Sequence, residues 1–180
     1  MPKPITVTKD LIDQAAFSLV REAGIESLTA RNIADMLGSS TKPIYRVYGN
    51  METLKETTLT TAIQHMQTYV YKYQKTGNPM LDSGLGYISF AKNERELFKI
   101  ISMNNCLQFS LDAEKNQDLY NLLAAELKEK HFPDQEIREM LVQILVFSYG
   151  LAMISYNGLK ELSENEAEEL LLNFFNRITK

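Results

Sequence analysis

The sequence predicts an all-α fold: an N-terminal three-helix unit built around a helix-turn-helix, followed by a larger helical unit. Three observations carry this prediction. Apolar residues recur at spacings of three and four along nearly the whole chain, while strand-like alternation is scarce. Glycine and proline fall at intervals suited to helix ends rather than inside elements. Residues that cap helices stand just ahead of several periodic stretches, namely Thr8, Thr29, Ser40, Asn50 and Ser163.

Taken in order, Thr8 caps a first helix reaching about Ala23, with Ile12, Ala16, Leu19, Val20 and Ala23 on one face and Gly24 past its end. Thr29 caps a short second helix, Ala30 to Leu37, stopped by Gly38. Ser40 caps a third that runs to about Tyr48, and Asn50 caps a fourth whose Leu59, Ile63, Met66 and Val70 form one stripe. The run "TGNP", residues 76–79, ends that helix. Residues 80–92 and 94–103 read as two helices broken near Asn93, and 117–131 as another, ended by Phe132-Pro133-Asp134. Residues 135–157 form a long helix. The last opens on "SENE", where Ser163 and Glu166 make a capping box, and its apolar face is Ala167, Leu170, Leu171, Phe174, Phe175 and Ile178.

The composition is that of an ordinary globular chain, 44% apolar and 23% charged, with a net charge of −4. The charge is uneven. Residues 1–75 carry nine Lys/Arg against seven Asp/Glu, and residues 76–180 carry ten against sixteen, which suggests two jobs, a plain solvated surface being the alternative. The single cysteine, Cys106, excludes an intramolecular disulfide, and "MPKPITVTKD" lacks the apolar core of a secretory signal. Both point to the cytoplasm. Met140 to Leu159 is uncharged for a length that would cross a bilayer. Its Gln143, Ser148, Tyr149, Ser155, Tyr156 and Asn157 favour a core or interface helix, with no membrane partner.

The stretch "GSSTKPIYRVYGN", residues 38–50, holds the clearest functional pattern. A small residue at Ala34 lets two helices cross closely, and Gly38 turns the chain in a left-handed conformation. Ile33, Leu37, Ile44 and Val47 are the expected shared core of this helix-turn-helix. With Ser40 as cap, Pro43 is the third helical residue, where its missing N–H has no intrahelical partner to lose. Thr41, Lys42, Tyr45 and Arg46 then cover the outer side, while Tyr48 belongs mostly to the core. Hydroxyls, cations and a phenol suit phosphates and base edges in a major groove.

"LTARNIADMLGSSTKPIYRVYGNMETLKE", Leu28 to Glu56, resembles the DNA-binding region of the TetR family of bacterial transcriptional regulators. The match extends over some 50 residues with the first helix. "LGYISFAKNERELFKII", residues 85–101, and "FSYGLAMISYNG", residues 147–158, look like parts of the regulatory domain of the WHG-type class.

The resemblance implies a homodimer in which residues 1–50 bind an operator in double-stranded DNA. Residues 51–180 would bind a ligand and dimerise, with a helix over about 51–75 connecting the two. It implies a repressor released by a small-molecule effector. Carried over position by position, Thr41, Lys42, Pro43, Tyr45 and Arg46 lie on the recognition helix, and Ser40 begins it. Tyr45 and the backbone at Asn50 meet phosphates, and Arg31 reaches DNA from the start of the second helix. The chain departs from the family pattern in three places. Ser39 replaces an apolar turn residue, Pro43 replaces a small one, and Met51 replaces a lysine.

Tyr87, Phe90, Phe98, Met103, Phe109, Tyr120, Tyr149 and Met153 are candidates to line the effector pocket, packed core being the alternative for each. Ser148, Leu151, Ala152 and Ser155, with Leu170, Leu171, Phe174 and Phe175, are candidates for a dimeric four-helix bundle, the alternative being a core within one chain. With only His65 and His131 and one cysteine, no metal site is expected; His131 belongs to a helix C-terminus and Cys106 is a small buried hydrophobe or a redox switch. No phosphate loop, metal-spaced cluster or nucleophile elbow is present, so no cofactor and no enzyme activity are expected. The competing functional class is an all-helical small-molecule-binding or interaction module whose helix-turn-helix serves only packing.

Overall fold

In the computed structural model the described residues are 7–104 and 117–180. Among them the chain forms nine α-helices and no strand: α1 (Lys9–Ala23), α2 (Ala30–Met36), α3 (Lys42–Tyr48), α4 (Met51–Lys72), α5 (Pro79–Asn93), α6 (Arg95–Met103), α7 (Gln117–Glu129), α8 (Asp134–Tyr156) and α9 (Glu164–Ile178). A 3₁₀ turn, Ile25–Ser27, links α1 to α2. Cys106 and Phe109 lie outside the described residues.

The helix ends follow from local chemistry. Thr8 accepts from the Leu11 N–H, Thr29 from the Asn32 N–H and Asn50 from the Thr53 N–H, each filling one of the donors a helix start leaves open. At Ser163 both halves of the capping box are made, with the hydroxyl on the Glu166 N–H and the Glu166 carboxylate on the Ser163 N–H. Helix α3 differs from expectation. Thr41, not Ser40, is its cap residue, and no side chain caps it. Thr41 already has helical backbone angles, so its carbonyl accepts from the N–H groups of Ile44 and Tyr45, and Pro43 becomes the second helical residue. The proline still costs no hydrogen bond there.

The chain divides into two compact units. Among the described residues one comprises 7–65 and 96–104, the other 66–95 and 117–180. The first unit's core is made by Ile12, Ala16 and Val20 of α1, Ile33 and Ala34 of α2, Ile44 and Tyr48 of α3, Leu54 and Ile63 of α4, and Leu97, Phe98 and Ile101 of α6, all buried. His65 stands at this unit's edge with its ring against Phe17, centroids 5.3 Å apart.

Helix α5 is the axis of the second unit, buried on nearly every side. It packs on α8, α9 and α7. Gly84 is why it fits: a Cβ there would sit 2.9 Å from both terminal carbons of Leu171 and from the Ser148 hydroxyl. A second cluster fills the space beyond it, with Met80, Leu127, Ile137, Met140, Ile144 and Phe175 buried together. Asp82, also buried, ties down the turn that enters α5. Its carboxylate accepts from the N–H groups of Lys75, Thr76 and Gly77 and from the Thr76 hydroxyl. Helix α8 is long and apolar enough to cross a membrane by length and composition, with mean hydropathy 1.5, and 33% of that apolar stretch is buried within the chain.

Candidate nucleic-acid interface

Helices α1 to α3 position the site. Gly38, at φ +59°, closes α2 with paired bonds: the Ser39 N–H reaches the Ala34 carbonyl and the Gly38 N–H that of Asp35. The chain then turns into α3, seven residues long. Two side chains seat α3. Ile44 and Tyr48, one turn apart, are buried on the same side. Tyr48 donates a hydrogen bond to the Asp13 carboxylate on α1, and Lys9 completes the set, 2.6 Å from Asp13 and with its ammonium over the Tyr48 ring. Burial, then the bond to Asp13, raise the Tyr48 hydroxyl above its ordinary value, so it stays a donor. The Asp13 carboxylate likewise raises Lys9, which stays charged.

The expected DNA-facing residues lie as follows. Lys42, Arg46 and Ser40 are exposed, and Thr41 and Pro43 are half-buried. Tyr45 is 47% exposed. Arg31 is exposed on α2 and approaches Asp35 of its own helix at 3.9 Å, an exposed pair worth little. Asn50 is exposed, with its side-chain oxygen committed to the start of α4. One core expectation fails. Val47 is 37% exposed and Leu37 only half-buried, while Tyr48 occupies the core beside Ile44. Ile44 is followed by two residues that could both face inward, and the Asp13 acceptor across on α1 selects the tyrosine.

The pocket candidates do not form one group. Phe98 is in the first unit and buried, and Met103 is 75% exposed. In the second unit Phe90 and Tyr87 are buried, Tyr149 and Met153 half-buried, and Tyr120 packs on the Met80 cluster. Of these, Tyr87 and Tyr149 meet edge to face with centroids 6.5 Å apart. A cleft of 290 Å³ opens elsewhere in this unit, lined by Val70, Tyr71, Tyr73, Gln74, Gly77, Pro79, Asp82 and Ser83. None of these was expected from sequence to line a pocket, because the cleft arises from the loop that Asp82 folds back. Beside that loop, Tyr73 donates to Glu164 at 2.5 Å, and Lys75 bridges Glu164 and Glu168 at 3.3 Å each. No group of three metal-ligating side chains occurs among the described residues.

The dimer candidates divide. Ser148, Leu151, Ala152, Leu171 and Phe175 are buried within the second unit, so they have no surface to offer a second chain. Gly84 explains this, since the small residues of α8 accommodate α5 of the same chain. Ser155 and Phe174 are half-buried and Leu170 is exposed. The apolar surface that α8 and α9 do expose comprises Val142, Val146, Ile154, Leu170 and Leu172, beside the stacked pair Phe147–Phe174 at 4.3 Å.

No family model matches this sequence, and no curated protein matches it by sequence. A solved structure does match: a TetR-family transcriptional regulator from Rhodococcus sp., with a TM-score of 0.63 and 16% identity, covering 95% of this chain and 98% of that one. At this identity the likeness is one of fold, and the fold of this chain is that of the TetR-family transcriptional regulators.

Proposed function

We propose that the protein is a dimeric DNA-binding transcriptional regulator, a repressor released from its operator by a small molecule. One observation carries the reading: Lys42 and Arg46 stand exposed, one turn apart, on the side of α3 opposite the buried Ile44 and Tyr48. A charged face on a helix fixed by two anchors suits insertion into a major groove. Residues 1–50 would supply this head, with Thr41 and Tyr45 at its margins, and Arg31 and the Asn50 backbone toward phosphates.

The exposed apolar surface of α8 and α9 would meet a second copy, giving a four-helix interface and two heads about 34–36 Å apart. The effector would lodge in the second unit, where Tyr87 and Tyr149 offer aromatic walls, and would act by preferring one of two states of the dimer.

The test is a titration of duplex DNA selected from a random library, at several salt concentrations, with wild type and Arg46→Ala. The expected result is binding that falls steeply with salt and weakens in the variant. Salt-independent or unchanged binding would transfer the protein to the class of helical binding modules.

A further inference from the structure

The exposed side of α3 is not uniformly charged. With Ile44 and Tyr48 turned inward, successive residues advance by about 100° around the helix, which sorts four of the other five into two rows and leaves Tyr45, 47% exposed, on the far flank of the first. Lys42 and Arg46, four residues apart, form a row directly opposite the buried pair, and neither is held by a carboxylate among the described residues. Pro43 and Val47, also four apart, form a second row beside the first. Val47 is 37% exposed, so part of a β-branched apolar side chain faces outward there, and Pro43 beside it is half-buried. Pro43 has no N–H and no polar side-chain atom, so it too offers only apolar contact.

We propose that this second row is a specificity element: Pro43 and Val47 read the C5 methyl groups of thymines, next to a guanine read by Arg46. The inference rests on the DNA-binding reading above and narrows it to a class of operator. In the major groove only thymine presents a methyl group, and guanine presents the O6/N7 acceptor pair that a guanidinium fork fits. The rows are adjacent on one short helix, so the two kinds of base fall within a step or two of each other in each half-site. Lys42, at the helix start, has the reach for the backbone or a second guanine.

The experiment uses the full-length chain and proceeds in two steps. Selection from a random duplex library defines the half-site. Each thymine in it is then replaced by uracil, which keeps the pairing and removes only the methyl group. For the wild type, uracil at one or two positions beside the guanine weakens binding about fourfold each, the effect of one methyl left in water. Val47→Ala and Pro43→Ala each lose most of the thymine-over-uracil preference while still preferring guanine. Arg46→Ala relaxes the guanine preference by roughly ten- to a hundredfold. Thermal melting of each variant separates this from misfolding, and Val47→Ala serves if the proline variant unfolds. A selected half-site at which uracil and thymine bind equally would overturn the inference and leave the regulator standing. Failure to select any sequence would overturn both.

Discussion

At the level of single residues, the hydroxyl of Tyr48 joins α3 to the rest of its unit. It donates to Asp13 on α1, and Asp13 also holds Lys9. Tyr48→Phe keeps the buried ring and removes only that bond, so the expected loss is about 1 kcal/mol of stability, seen as a lower Tm. A Tm unchanged within error would show that the ring alone seats α3. The start of α9 gives a prediction in pH. The Ser163 N–H, then the Ser163 hydroxyl and the Lys160 ammonium, pull the Glu166 carboxyl from 4.5 down to about 2. A carboxyl lowered by folding contributes stability that is complete above its unfolded value and is lost as pH falls from about 4.5 toward 2. Glu166→Gln, which leaves no carboxyl to titrate, is therefore expected to flatten the acid limb of the stability curve between those pH values. Identical acid limbs in denaturant titrations would exclude a contribution from the box. These caps were legible in the sequence because each signal spans only three residues. The place of Val47 was not, because the acceptor that selects Tyr48 lies 35 positions away.

At the level of helices, the second unit depends on the absence of a side chain on α5. A methyl group on Gly84 would press on the branched end of Leu171 and on the Ser148 hydroxyl at 2.9 Å, with α8 and α9 both behind them. Gly84→Ala is expected to destabilise by about 1–3 kcal/mol, the range for overpacking a filled core. Leu171→Ala alone is expected to cost about 2–5 kcal/mol, and the combined Gly84→Ala, Leu171→Ala variant should lose less than the sum of the two single changes. Chemical denaturation of the three variants checks it, and a stable Gly84→Ala variant would mean that α5 shifts freely. His131 illustrates a smaller strain. It closes α7 with φ +66°, where its N–H reaches the Lys128 carbonyl and the next N–H that of Leu127. Sequence placed the histidine at a helix end from the Pro133 break alone. It misplaced the start of α3 by one residue, because Ser40 and Thr41 are both good caps and Pro43 tolerates either register.

At the level of the whole protein, the exposed apolar side of α8 is the feature that a lone chain leaves unexplained. Val146 is 53% exposed at the middle of that helix, on a stretch without charge. Val146→Asp is expected to convert the proposed dimer to a monomer, because a buried carboxylate without a partner charge costs several kcal/mol. It should leave the monomer folded, since the side chain is already 53% exposed there. Light scattering after gel filtration reads the mass, and circular dichroism the helix content. A dimer that persists would place the interface elsewhere. The sequence announced the apolar helix but could not say which side faced outward. Small residues such as Ser148 and Ala152 suit a partner chain as well as the chain's own α5, and only the glycine at 84 decides between them.

The division of labour on α3 has a consequence for how such a protein changes over generations. Packing is delegated chiefly to Ile44 and Tyr48, while Lys42, Arg46 and Val47 are exposed. Substitutions at those three positions alter what the helix meets more than how it is held. On the DNA-binding reading proposed above, a gene duplicate could therefore drift toward a new operator one base at a time, keeping a folded product at every intermediate, and a designer could follow the same route with a library confined to three codons.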